Sequence, residues 1–143
     1  MIQPSTTAAL NRLLAIVVRS FPQYLQYSRP HVPPGRDNVV EGIGMIAADQ
    51  NGLADRIGQL LIDAEAPLRT GEFPMEFTDM HDLGIDYLVN VAIAYQQQDI
   101  DAIGRLIEDL QSAPAAKSLA EESLGMAKGH LESLRDLAPA EMK

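Results

Sequence analysis

The stretch Val39–Ala64 reads VVEGIGMIAADQNGLADRIGQLLIDA, and its spacing decides the fold. Apolar residues fall at Val39, Ile43, Ile46, Leu53, Ile57, Leu60 and Ala64 in steps of four and three, the seam of a helix packed along other helices. Gln50 is the polar member of that seam. Ala47, Ala54 and Leu61 widen it to the stripe that a helix in a bundle needs. Gly42, Gly44, Gly52 and Gly58 lie off the seam, each about 1 kcal/mol less favourable in a helix than alanine, so packing must supply the helicity.

Everything around this helix has to cover its stripe. Upstream, Leu10, Leu13, Leu14, Val17, Val18, Phe21, Tyr24 and Leu25 predict a helix over about 7–27, capped by Ser5, Thr6 or Thr7 and kinked or ended early by Pro22. Pro30, Pro33, Pro34 and Gly35 make Ser28–Arg36 a semi-rigid connection, and Asp37 or Asn38 is the expected cap of the second helix, about 38–64. Downstream, Glu65–Phe77 carries Pro67, Gly71 and Pro74 and reaches about 40 Å when extended, enough to run the length of the central helix as a crossover. Thr78 is the expected cap of a third helix over about 78–111, with Asp79 and Asp82 in its first turn. Its expected inward face is Leu83, Tyr87, Val91, Ala94, Ile100, Ile103, Ile107 and Leu110, with a break near Gln98–Asp99 as the alternative to one long helix. Gln111–Ala113 is short enough to force antiparallel neighbours, and Pro114 suits the first position of a fourth helix over about 114–137, where Ala120, Leu124, Ala127, Leu131, Leu134 and Ala138 repeat the spacing. No alternating strand pattern competes. The expected fold is all-α, one domain over 1–143, a left-handed four-helix bundle.

Composition narrows the function classes. The 143 residues include no cysteine, which excludes disulfides, thiolate metal ligands and thiol nucleophiles and is compatible with a cytoplasmic location. A formal net charge of −9 without a basic stripe argues against nucleic acid or anionic lipid as partner. Ala15–Val18 is too short for a membrane span and lacks the flanks of an export signal. No phosphate loop, nucleophile elbow, HExxH or EF-hand loop is present.

Three short strings carry a family resemblance. GHLESL at Gly129–Leu134, ADQNGLADRI at Ala48–Ile57 and QYL at Gln23–Leu25 resemble bacterioferritin segments of the fourth, second and first helices, and the helix order resembles the ferritin-like superfamily. The resemblance implies a crossover between helices 2 and 3. It also implies a dimetal site built from a carboxylate on each of two helices and Glu-x-x-His on each of the others. In this sequence His130 matches the fourth-helix histidine, but Ala127 stands where its glutamate would be, Ala47 and Gln50 replace the second-helix pair, and Val17 falls at the first-helix carboxylate. Asp82 or Asp86 remains from the third helix.

These departures lead to the expectation of a non-enzymatic ferritin-like bundle, its dimetal site lost, acting through its surface or an oligomer interface on another copy or another protein. The alternative is a residual metal or small-ligand site at Gln50, Asp86 and His130, the only setting in which iron or another metal is expected. An up-and-down helical partner domain unrelated to ferritins needs only a short path for Glu65–Phe77. Gln50 also reads as a register-setting residue with His130 as its partner, and His81 and Asp82 as first-turn caps; of Asp49, Gln50 and Asn51, two are expected to face solvent.

Overall fold

Pro4 brings a preset φ to the first turn of α1 (Pro4–Val18), whose Leu10, Leu13, Leu14 and Val17 are buried in the computed structural model, which describes residues 2–28, 30–80 and 83–139. Secondary structure among the described residues is helical, with no strand beyond one isolated bridge between His31 and Gly84. No helix among them is long and apolar enough to cross a membrane.

The first helix, expected over about 7–27 with a kink or an early end at Pro22, is two. Arg19 ends α1 by donating its N–H to the Ala15 carbonyl, Ser20 adopts an extended conformation, and Ser20 Oγ accepts from the Gln23 N–H (3.3 Å) to open α2 (Phe21–Tyr24). Pro22 lies in the first turn of α2, where a missing N–H costs nothing. The break therefore precedes the proline.

The central helix, α3, spans Asp37–Asp63. Arg36 precedes it, no side chain caps it, and the expected caps Asp37 and Asn38 lie inside the helix, Asp37 in the first turn where the dipole favours negative charge. Val39, Ile43, Ile46, Gln50, Leu53 and Ile57 are buried as the seam requires, and beyond Ile57 the buried position moves from Leu60 to Leu61. A helix of 3.6 residues per turn drifts about 20° per heptad against a 3.5 repeat, which accounts for the shift. At the end of α3 the Ala66 N–H bonds to the Leu61 carbonyl and the Glu65 N–H to the Ile62 carbonyl, both 2.9 Å, with Glu65 at φ +56 in the left-handed position.

From there the chain follows α1. Asn11 Nδ2 donates to the Pro67 carbonyl (2.9 Å), Asn11 Oδ1 accepts from the Arg69 N–H (2.6 Å), and Arg19 Nε donates to the Gly71 carbonyl (3.0 Å) while its guanidinium stands 5.0 Å from the Phe73 ring centre. Met75–Met80 forms a 3-10 helix that buries Phe77 edge-on against Phe21 (4.9 Å) and Tyr95 (5.0 Å). Thr78 caps nothing here; its Oγ1 donates to the Met75 carbonyl, and α4 begins at Ile85 and runs unbroken to Glu108. His81 and Asp82 lie outside the described residues. Of the expected inward face Ile103 and Leu110 are buried, but Leu83, Tyr87 and Ala94 are exposed, and Ile85, Leu88, Val89, Ala92, Gln96 and Leu106 are buried in addition. The last helix, α5, spans Pro114–Leu137 as its spacing predicts.

Helix α1 packs on α3 and α4, and α5 on α4 and α3. Arg36, just before α3, donates Nε to Asp86 Oδ1 in the first turn of α4 (2.8 Å) and Nη2 to the Leu137 carbonyl at the end of α5 (2.7 Å). Two apolar clusters result. One gathers Leu10, Leu13, Leu53, Ile57, Leu61, Ile103, Leu110 and Leu119; the other gathers Phe21, Val39, Ile43, Phe77, Ile85, Leu88 and Leu134.

Candidate functional site in the polar layer

Between the two clusters the inward positions turn polar. Gln50 of α3, Gln96 and Asp99 of α4, and Ser123 and His130 of α5 line a cavity of about 20 Å³, room for a single water. Gln50 lies on the expected seam of α3, whereas in α4 and α5 the buried register runs one position before the expected Ile100, Leu124 and Leu131, which turns Asp99, Ser123 and His130 inward with Gln96.

Most of the polar atoms are satisfied by protein. Ser20 Oγ donates to Gln50 Oε1 (2.7 Å), and Gln23 Nε2 donates to the Ala47 carbonyl (2.8 Å) and to Asn51 Oδ1 (3.0 Å). His130 Nε2 stands 2.9 Å from Asp49 Oδ2. Gln96 Nε2 donates to the Ala127 carbonyl (3.0 Å) and Ser123 Oγ to the Leu119 carbonyl (2.8 Å). Gln96 Oε1 is buried and has no hydrogen-bond partner among the described residues. Such an orphaned acceptor costs about 1–3 kcal/mol unless something donates to it.

Asp99 is the unusual titratable group. Burial raises its carboxyl from 3.8 to about 7, while the Arg12 guanidinium pulls it down. Asp99 and Ile16 also line a surface cleft of about 360 Å³ between α1, α4 and the segment 70–77, so they form the wall between cavity and cleft. Across that cleft the Tyr95 hydroxyl is raised by burial and then by the charge of Glu76, to which it is hydrogen-bonded.

Of the residues nominated from sequence, Gln50 and His130 both line the cavity, though each takes a different partner: Ser20 for Gln50 and Asp49 for His130. Asp86 is elsewhere, paired with Arg36 at the end of the helices, because it belongs to the first turn of α4 and the layer lies further along that helix, at Gln96 and Asp99. Gln96, Asp99 and Ser123 were not anticipated. Their signal was present: Leu88, Ala92, Gln96, Asp99, Ile103, Leu106 and Leu110 step by fours and threes, but Gln96 hides in the run Gln96–Gln98, which reads as solvated.

The dimetal site implied by the ferritin resemblance does not fit these residues. Ala47 is buried in α3 and Ala127 in α5, offering no ligand; Asp86 is held by Arg36; and the described residues contain no group of three His, Cys, Asp or Glu placed to hold a metal ion. Compared with known proteins, the chain shows no significant match to a family model, a curated protein or a solved structure.

Proposed function

We propose that the chain is a left-handed four-helix bundle of ferritin-like topology that has lost the dimetal site and works without catalysis, through its surface or an oligomer interface. The topology draws support from Arg36, which joins the starts of α3 and α4, and from 67–73, which tracks α1 past the bundle before α4 begins. Together these contacts favour parallel α3 and α4 joined by a crossover. The functional reading is carried by one observation: all but one of the buried polar atoms at the centre, Gln96 Oε1, have protein partners, around a space of about 20 Å³, too small for a substrate.

The outer surface offers more. Tyr27, 72% exposed, stands edge-on to Phe73 at 5.9 Å, and Met75, two residues after Phe73, is 87% exposed; each offers apolar surface to a second copy or another protein. The absence of cysteine fits a cytoplasmic setting, and the acidic charge suits neither nucleic acid nor anionic lipid.

Elemental analysis after chelator-free purification, with sedimentation in parallel, tests this reading. No stoichiometric iron, manganese or zinc is expected, and the mass should be a multiple of 15.6 kDa that falls in Tyr27→Ser combined with Met75→Ser. Stoichiometric metal that disappears in His130→Ala would overturn it. A second reading, a residual small-ligand site at the bundle centre, is favoured by Gln96 Oε1, the buried acceptor without a partner.

A further inference from the structure

We propose that the groove between α1 and the segment 64–71 binds an amphipathic monocarboxylate, an aliphatic chain ending in one carboxylate. The groove lies on the outside of the bundle and shares no residue with the lining of the polar layer.

The groove exists because its walls are thin. Ala8 and Ala15 on α1 and Ala64, Ala66 and Gly71 opposite carry a methyl group or nothing, which leaves about 770 Å³ between the walls, within the range of small-molecule sites. Asn11 fixes their spacing. Its buried side chain donates to the Pro67 carbonyl (2.9 Å) and accepts from the Arg69 N–H (2.6 Å), so the groove is formed before any ligand arrives.

The two ends differ in chemistry. Pro67 and Arg69 lie at Asn11 and Gly71 at Arg19, so the segment runs in the same direction as α1 and puts Ala64 and Ala66 toward the helix start, with Ile2, Pro4 and Ala8. The backbone donors of that end are already used: the Ala64, Glu65 and Ala66 N–H groups bond to the Leu60, Ile62 and Leu61 carbonyls, and Pro67 has none. An aliphatic chain is the complement of such a surface. Thr7 and Glu65 are the polar side chains beside it, and the Glu65 carboxylate disfavours a ligand seated the other way round. Further along stand Arg12 and Arg69, and neither guanidinium has a hydrogen-bond or ion-pair partner among the described residues. From Pro4 to Arg12 the helix rises about 12 Å, the extended length of a chain of roughly ten carbons.

Charge selects the head group. A guanidinium presents paired N–H donors in the plane that a carboxylate matches. The net charge of −9 opposes every further negative charge, so a monocarboxylate suits the groove better than a phosphate dianion. Arg12 also borders the neighbouring cleft, with Arg19, Glu72, Glu76 and Asp99; below about pH 7 Asp99 keeps its proton and leaves the Arg12 charge to the ligand.

The test is calorimetric titration of the full chain at pH 6 with decanoate, with acetate as the head alone and decan-1-ol as the uncharged body, while amide NMR shifts locate the site. Decanoate should saturate at one per chain and move the amides of Ala8, Arg12, Ala66 and Arg69, with acetate and decanol weaker by about tenfold or more. Arg12→Gln and Arg69→Gln should each weaken decanoate about three- to tenfold by removing a charged donor. Ala8→Leu, at an exposed helix position where leucine is a good helix former, should block the groove, and Arg105→Gln, on α4 away from it, should leave the affinity unchanged. Decanol binding as tightly as decanoate, with both arginine variants silent, would overturn the carboxylate assignment. No saturable binding, or decanoate shifts that survive Ala8→Leu, would overturn the site, as would groove amides that respond to dilution of the protein rather than to decanoate, since a second copy would then be the occupant.

Discussion

His130 Nε2 and Asp49 Oδ2 stand 2.9 Å apart, although Asp49 neighbours the seam residue Gln50 and is itself half exposed. Successive helix positions diverge by about 100°, so Gln50 turns to Ser20 beside α1 while Asp49 swings toward α5. The histidine is the buried member of the pair, with 9% of its side chain accessible. Asp49→Ala should therefore cost about 1–2 kcal/mol by stripping a buried ring of its partner, while Asp49→Asn, still an acceptor, keeps most of the stability. Urea denaturation of both variants reads the difference, and equal midpoints would contradict it.

Gln50→Leu separates register-setting from partner satisfaction. A residue that only sets register can become leucine with stability unchanged or higher. The 2.7 Å bond from Ser20 Oγ predicts the other outcome, a loss of about 1–3 kcal/mol as the buried hydroxyl loses its acceptor. Adding Ser20→Ala should recover part of that loss in thermal melts, since no orphaned hydroxyl then remains.

Asp99 gives the protein a pH dependence whose sign follows from burial. The unfolded chain releases this proton near pH 4 and the folded chain near 7, so between those values the native state binds more protons. Stability from this group is full below about pH 4, falls as pH rises through the window by up to about 1.4 kcal/mol per unit, and levels above about 7. In sodium chloride, Asp99→Asn should lack that fall and melt higher than wild type at pH 8. Parallel melting-temperature profiles from pH 4 to 8 would rule this out.

Glu65 occupies the left-handed position after α3 that glycine usually fills, and it does so with φ +56 and an exposed side chain. A Cβ there costs about 1–2 kcal/mol in the backbone, only partly offset by the greater freedom of glycine in the unfolded chain. Glu65→Gly should raise stability by up to about 1 kcal/mol, read as a higher urea midpoint at unchanged slope.

The long helices were legible where spacing and punctuation agreed. Pro114 and the Ala120–Ala138 seam located α5 to the residue, and the Val39–Ile57 seam located α3 to within one. Misreadings came where a local signal had two physical uses. Thr78 and Asp79 resemble a helix cap, but Phe77 is drawn into the aromatic cluster and holds those residues in a 3-10 turn, delaying α4 to Ile85. Once α4 starts there, Leu83 and Tyr87 no longer face inward. Ser20 was the cap missed when the interruption of the first helix was placed at Pro22 rather than before it. In the site, Gln50 was readable as a polar residue among apolar ones and His130 by resemblance. Asp99 was not, since an isolated aspartate at a seam position looks like an interruption until its helix is seen to continue through it.

The polar layer that divides the two apolar clusters also divides the molecule's resistance to opening. Leu53, Ile57 and Leu61 bury with Ile103, Leu110 and Leu119 on one side, and Val39 and Ile43 with Ile85, Leu88 and Leu134 on the other, so α3, α4 and α5 each contribute to both halves. Hydrogen bonds and a water-sized space join the halves where direct apolar contact would otherwise make them one. Amide exchange should then sort along each long helix into two cooperative blocks that meet near Gln50, Gln96 and Ala127, with one end of the bundle able to breathe while the other stays closed.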